Sequence, residues 1–165
     1  MNKLNRNGVS AMVAKFKCSR NTDSEKFLRN ASLAFDLKDI SRTYLAIDLD
    51  KEEIKGYFTL GMKCLDAGKL DVGSEVSEYM NINKDGIAQA YLIGQRARAD
   101  DAAPGLGKMM LHESLKIFSG VKEKIGCRMV RLDCRDELIG YYRSQGFQHI
   151  RKNTDKDLNQ MVRFI

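Results

Sequence analysis

Ile87 to Leu111 reads IAQAYLIGQRARADDAAPGLGKMML, and this stretch decides the fold. Tyr91, Leu92 and Ile93 form an apolar run that predicts a buried strand. A short acidic loop follows, Asp100-Asp101-Ala102-Ala103, and then Pro104-Gly105-Leu106-Gly107-Lys108. After Lys108 an amphipathic pattern begins. Strand, glycine turn and helix start, in that order, gather free backbone N–H groups at the positive end of a helix, where phosphate binds well. Pro104 suits the first helical position, because its missing N–H has no intrahelical use there. Gly105 and Gly107 would let a ligand approach the backbone.

Two common phosphate loops are excluded. Lys108 is followed by Met109 rather than Ser or Thr, and Ala102 stands where a Walker loop needs glycine. Gly105-Leu106-Gly107 continues to Met110, not to the third glycine of a dinucleotide fold.

The rest of the chain bounds the reading. At 165 residues it predicts one domain, residues 1–165, with a substantial core. No apolar run approaches the roughly 18 residues of a membrane span. The first residues, MNKLNRNGVSAMVAKFK, lack the apolar centre of a secretory signal, so a cytoplasmic protein is expected. Cys18, Cys64, Cys127 and Cys134 are scattered, and neither His112 nor His149 lies at ligand spacing from them, so reduced thiols and no metal site are expected. Lys and Arg outnumber Asp and Glu 28 to 22, which favours an acidic partner such as a nucleotide or RNA.

Met12 to Lys17 alternates and predicts a first strand. Thr22 with Glu25 predicts a capping box. Phe27, Leu28, Ala31, Ala34 and Phe35 then fall on one helical face. Ser41–Leu49 and Ile54–Cys64 predict two strands joined by a polar loop, and Gly56 and Gly61 suggest a bulge or close backbone contact. Leu65 to Gly86 is weakly patterned, with a short helix over Ser74–Met80, a turn at Asn83–Gly86, and the cover of a substrate site expected there. A helix is predicted from about Pro104 to Lys122, a strand over Cys127–Cys134, and a short helix over Asp136–Gln145 capped by Gly146. Phe147–Ile150 and Leu158–Ile165 close the chain as strands. The sum is a mixed α/β sheet, an antiparallel meander with one βαβ crossover.

Ala102-Ala103-Pro104-Gly105-Leu106-Gly107 resembles the pyrophosphate loop of the GCN5-related N-acetyltransferases, Gln/Arg-x-x-Gly-x-Gly/Ala, with Ala102 where Gln or Arg is usual. Tyr141-Tyr142-Arg143-Ser144-Gln145-Gly146-Phe147 is similar to the closing Tyr-x-x-x-Gly-Phe of the same family. Phe16–Leu28, Ser41–Tyr44 and Gly56–Leu60 look like one subgroup, the acetyltransferase toxins of toxin–antitoxin pairs and their bacterial relatives. The resemblance covers nearly the whole chain.

It implies the α/β GNAT fold, a mostly antiparallel twisted sheet of six to seven strands with about four helices. Acetyl-CoA would be the cosubstrate, its pyrophosphate on Ala103, Pro104, Gly105, Leu106, Gly107 and Lys108. Its pantetheine arm would lie along Arg96, Ala97, Arg98 and Ala99, with Asp133, Leu138 and Tyr141 completing the contacts. A tyrosine is a workable acid toward a CoA thiolate, since phenols titrate near ~10 and thiols near ~8.5. By match to the motif, Tyr142 takes that role. The subgroup implies aminoacyl-tRNA as one acceptor, against a small amine or a protein N-terminus as the other, together with an antitoxin partner and a homodimer. No general base is visible; His112 and Glu113 read as surface or core, and water suffices for an amine of pKa near ~8. Arg42, Arg96, Arg98, Arg128, Arg131, Arg135 and Arg143 are the candidate RNA contacts. Two other classes stay open: a non-catalytic acyl-CoA sensor, motivated by Ala102, and an RNA-binding protein without cofactor, motivated by the charge.

Overall fold

Val9, Met12, Val13 and Phe16 stand at i, i+3, i+4 and i+7, the spacing of one helical face. In a computed structural model of the chain, which describes residues 6–67, 78–153 and 157–165, they belong to the helix α1 (Arg6–Lys15) and the residue after it. The strand expected over Met12–Lys17 is therefore not formed. Met12 and Phe16 are buried, and Val9 and Val13 pack against the same cluster.

The second helix, α2 (Thr22–Asn30), starts one residue earlier than the expected capping box. Asn21 is the cap, its side-chain oxygen accepting the Ser24 N–H at 3.1 Å. Glu25 instead reaches back to accept the Cys18 N–H at 2.7 Å and pairs with Arg29 at 3.0 Å. The single face expected from Phe27 to Phe35 is broken at Ala31. A third helix, α3 (Ser32–Leu37), begins there, with the Ser32 hydroxyl donating to the Leu28 carbonyl at 2.6 Å. Phe27 and Phe35 still meet, edge to face, at 5.3 Å.

Strands β1 (Ser41–Asp48), β2 (Glu53–Asp66) and β3 (Ile87–Arg98) follow, then the long helix α4 (Leu106–Ile125) and strand β4 (Met129–Cys134). Gly126 closes α4 at φ +86°, with its N–H on the Lys122 carbonyl at 2.9 Å. The short helix expected over Asp136–Gln145 divides into a 3-10 turn (Asp136–Leu138) and α5 (Ile139–Ser144); Gly146 ends it at φ +81°, as expected. Strands β5 (Gln148–Asn153) and β6 (Leu158–Phe164) complete the sheet. Its order is β1-β2-β3-β4-β6-β5, mixed and mostly antiparallel, and the six strands fall within the expected six to seven. The crossover is present: β3 and β4 are parallel, with Tyr91, Leu92 and Ile93 opposite Val130, Arg131 and Leu132. The turn at Asn83–Gly86 is also formed, the Asn83 side chain accepting the N–H groups of Asp85 and Ile87 at 3.0 and 2.8 Å. The cover and short helix expected within Leu65–Gly86 lie, for residues 68–77, outside the described residues.

The chain gathers into two compact units, Met1–Leu60 with Gln95–Ser114, and Gly61–Gly94 with Leu115–Ile165. In the first, Met12, Phe16, Leu28, Ile54 and Tyr57 form the core. The Tyr57 hydroxyl donates to the Ser24 carbonyl at 2.7 Å, and the Ser24 hydroxyl to Gln95 at 2.9 Å, so these two buried hydroxyls are satisfied. In the second, Leu65, Met80, Ala88, Met129 and Val162 pack together, and Tyr91 stacks on Phe118 at 4.7 Å. The Tyr91 hydroxyl donates to the Gly126 carbonyl.

Candidate functional site

Alternation along the end of β3 sorts the expected arm-binding residues. Ala97 and Ala99 are buried, while Arg96 and Arg98 are half-buried on the other face. The strand is held in place beyond its end, the Ala99 N–H donating to the Lys55 carbonyl at 2.9 Å and the Asp100 N–H to the Lys17 carbonyl at 3.2 Å. Gly56 provides the close contact expected of it: a Cβ there would lie 2.8 Å from the Met110 sulfur and 3.1 Å from the Ala97 carbonyl oxygen.

The acidic loop is anchored at both aspartates. Asp100 accepts the Ser19 N–H at 3.0 Å and its hydroxyl at 2.9 Å. Asp101 pairs with Lys55 at 2.6 Å, and the same ammonium reaches Glu53 at 2.6 Å. The bond to Lys55 holds the Asp101 carboxyl below the usual carboxylate range. Sequence reading misses Lys55, because a partner 46 residues away leaves no local signal. Beside this anchor lies a cleft of about 250 Å³, with Met12, Phe16 and Ile54 in its lining and Lys15 and Lys17 among its charged residues.

The helix start differs from expectation. Pro104 is not the first helical residue; it sits with Gly105 in a turn, and Gly105 at φ +88° cannot be helical. The Gly105 carbonyl accepts the Met109 N–H at 3.1 Å, so Gly105 caps α4. Ala103, Pro104, Gly105 and Lys108 are exposed, with Leu106 and Gly107 half-buried. Arg96 Nη1 donates to the Gly107 carbonyl at 3.2 Å, and the Arg98 side chain lies 3.4 Å from where a Gly107 Cβ would be. The first turn of a 20-residue helix thus carries two arginine side chains beside its N–H groups, of which that of Leu106 donates to the Ala103 carbonyl at 3.4 Å, a donor set suited to a polyphosphate.

The second unit holds the remaining candidates. Tyr142 on α5 is buried, with its ring edge-on to Tyr141 at 5.1 Å and to Phe147 at 5.7 Å. Its carbonyl accepts the N–H groups of Gln145 and Phe147, each at 3.0 Å, which fixes the turn into β5. Tyr141 is half-buried and Leu138 is 40% exposed. Asp133 is held from its own strand by Arg131, Nε and Nη2 each donating at 3.1 Å to one carboxylate oxygen. Arg131 also donates to the Cys64 carbonyl at 3.2 Å and is only 3% exposed, so it is not on a surface that RNA could meet. Arg42 is tied to Asp39 and to the Asp36 carbonyl, whereas Arg128, Arg135 and Arg143 are exposed. His112 and Glu113 are exposed on α4. The four cysteines are free thiols.

No family model matches the chain, and no curated protein matches it. Solved structures do. One described as a bacterial toxin matches with a TM-score of 0.77 at 17% identity, over 92% of this chain and 82% of that one. The toxin AtaT complexed with acetyl-methionyl-tRNAfMet matches with a TM-score of 0.73 at 15% identity, over 90% and 85%. A tyrosine-to-phenylalanine mutant of AtaT, bound to acetyl-CoA and the C-terminus of the antitoxin AtaR, matches with a TM-score of 0.69 at 14% identity, over 91% and 83%. The chain therefore has the fold of these toxins, the fold its sequence resemblance implies.

Proposed function

We propose that the 165 residues act as one N-acetyltransferase domain, moving an acetyl group from acetyl-CoA to a primary amine in the cytoplasm. The observation that carries this reading is the start of α4: a glycine-capped helix end flanked by Arg96 and Arg98, in a fold shared with a toxin bound to acetyl-CoA. The N–H groups of the first turn, with Arg96, Arg98 and Lys108, would hold the pyrophosphate. The backbone from Arg96 to Ala99 would pair with the amides of the pantetheine arm as an added strand does.

The chemistry then needs little from the protein. The amine nitrogen attacks the thioester carbon, the carbon–sulfur bond breaks, and the sulfur leaves with the electron pair. The Tyr142 phenol gives that sulfur a proton, the ammonium formed on nitrogen loses its own to water, and the phenolate takes a proton back from water. Burial of Tyr142 against Tyr141 and Phe147 supports the assignment, since a fixed ring orients its hydroxyl. Asp133, Leu138 and Tyr141 would complete the arm contacts.

Aminoacyl-tRNA is the acceptor favoured by the AtaT complex with acetyl-methionyl-tRNAfMet, and Arg128, Arg135 and Arg143 are exposed and able to meet its phosphates. An antitoxin partner fits the same likeness, as AtaT is bound to AtaR, and a homodimer is part of the reading. One specific departure favours a second function: Ala102 offers no side-chain donor where the family motif has Gln or Arg, which suits an acyl-CoA sensor without turnover.

Calorimetric titration with acetyl-CoA, followed by a thiol-release assay over aminoacyl-tRNA and small amines, separates the two. Saturable binding with thiol release on at least one amine is the expected result. Binding without release on any acceptor supports the sensor, and absence of binding overturns both.

A further inference from the structure

Across β4, β6 and β5 one row of side chains is in register: Asp133 stands opposite Gln160, and Gln160 opposite Arg151. Directly opposed residues share a face of an antiparallel sheet, so the three form one polar line on the second unit. The line is fixed at both ends. Asp133 is gripped by two nitrogens of Arg131, Nε and Nη2, and Arg151 Nε donates to Gln160 Oε1 at 2.9 Å. Gln160 is 3% exposed and Arg131 likewise, so the supports are buried while Arg151 is half-buried.

Three features single out Arg151. It lies on β5, the edge strand, directly after a register shift between His149 and Arg151. Bulges of this kind re-aim a side chain and are common beside functional sites. Its guanidinium is seated through Nε alone; among the described residues no acceptor takes Nη1 or Nη2. Nor is its charge neutralised by the row, because the Asp133 carboxylate is already engaged on both oxygens by Arg131. A seated guanidinium with a free two-nitrogen fork matches the geometry of a carboxylate or phosphate, and its rotamer freedom is already spent.

We propose that Arg151, seated by Gln160, is the anchor for an oxyanion of the acceptor, a carboxylate or a phosphate. The inference rests on the acetyltransferase reading for the identity of the bound molecule as an acceptor. It does not rest on that reading for the binding itself. An amino-acid carboxylate and an RNA phosphate present the same chemistry, and binding tells them apart.

The test uses the full chain, with fluorescence anisotropy on a 12-nucleotide single-stranded RNA at low salt and saturation-transfer NMR on leucine against leucine amide. Arg151→Ala is expected to weaken one probe about tenfold, the size of a lost charge-assisted bidentate contact. Arg151→Lys should recover less than half of that loss, and Gln160→Met, which unseats the fork but keeps the charge, should weaken the same probe about threefold. Lys84→Ala, which removes an exposed charge from the Asn83–Gly86 turn, serves as the control. A loss on RNA identifies a phosphate, and a loss on leucine but not its amide identifies a carboxylate. If Arg151→Ala melts at a lower temperature than the parent, the other two variants decide. Equal behaviour of Arg151 variants and Lys84→Ala on both probes overturns the inference, as does a parent protein that binds neither. Acetyl-CoA affinity, measured alongside, should not change in any variant; its absence in the parent would sink the transferase reading and leave the Arg151 result standing.

Discussion

Arg96 donates from the end of β3 to the carbonyl of Gly107 in the first turn of α4, at 3.2 Å, while Arg98 lies 3.4 Å from the space a Gly107 Cβ would take. The two arginines and the glycine form one clasp. A Cβ at 107 would just touch the Arg98 stem, and the two further methyls of valine would push that flexible stem aside. Gly107→Val should therefore leave the melting temperature within a few degrees of the parent and raise the Kd for acetyl-CoA about tenfold, since a lost charge-assisted contact is worth about 1.4 kcal/mol or more. Calorimetry and a thermal melt on the same sample check both halves.

Gly56 is a different case, because one of its neighbours is backbone. A Cβ there would stand 3.1 Å from the Ala97 carbonyl oxygen as well as 2.8 Å from the Met110 sulfur. Gly56→Ala should destabilise by about 1–3 kcal/mol, the range of core overpacking. In a Met110→Ala background the same Gly56→Ala change should cost less but not nothing, since the carbonyl remains. Urea midpoints of the parent, both single variants and the double variant give the answer.

The Arg131–Asp133 pair is buried on one side, the two side chains 4% and 19% exposed. Removing one charge strands the other. Asp133→Ala should cost about 3 kcal/mol, at the low end for a broken buried pair, and Arg131→Met a similar amount. The double variant Arg131→Met with Asp133→Leu should cost less than either single change. A double-mutant cycle in urea measures this, and additive losses would refute the coupling.

Cys134 sets an alkaline limit. Burial pushes its thiol up to about 11, with the carboxylates of Asp133, Asp136 and Glu137 adding in the same direction. Its folded value is above the ordinary 9.0, so the unfolded chain loses this proton first. Below pH 9 both states are protonated and no slope arises. Between about pH 9 and 11 the folded state holds more protons, so stability falls as pH rises. Cys134→Ala should flatten that fall; Tyr57, also raised by burial, keeps a residual slope. Urea midpoints at pH 8 and pH 10.5 compare the two proteins.

What the sequence discloses is local. The Ile87–Leu111 stretch gives strand, loop and helix because its apolar run and its glycines each act within a few residues. Gly126 and Gly146 are legible as helix ends for the same reason, both at positive φ. α1 is misread because a window opened at Met12 shows alternation, and only Val9 completes the helical face. Asn21 outcompetes Thr22 as cap, a choice one residue apart that periodicity does not resolve. Pro104 is displaced from the helix by Gly105, whose positive φ comes from the turn as a whole. At the site, Arg96 and Arg98 are visible as residues, yet their meeting at Gly107 is tertiary. Lys55 and Arg151 are invisible in sequence because their partners, Asp101 and Gln160, are set by register and fold.

In the proposed transfer the Tyr142 phenol protonates the leaving thiolate. The most direct measurement is the turnover of Tyr142→Phe, with its acetyl-CoA affinity taken in parallel. Removing one hydroxyl from a buried ring keeps the packing on Tyr141 and Phe147, so kcat should fall about 100-fold while Kd stays within about twofold. An undiminished kcat would contradict it.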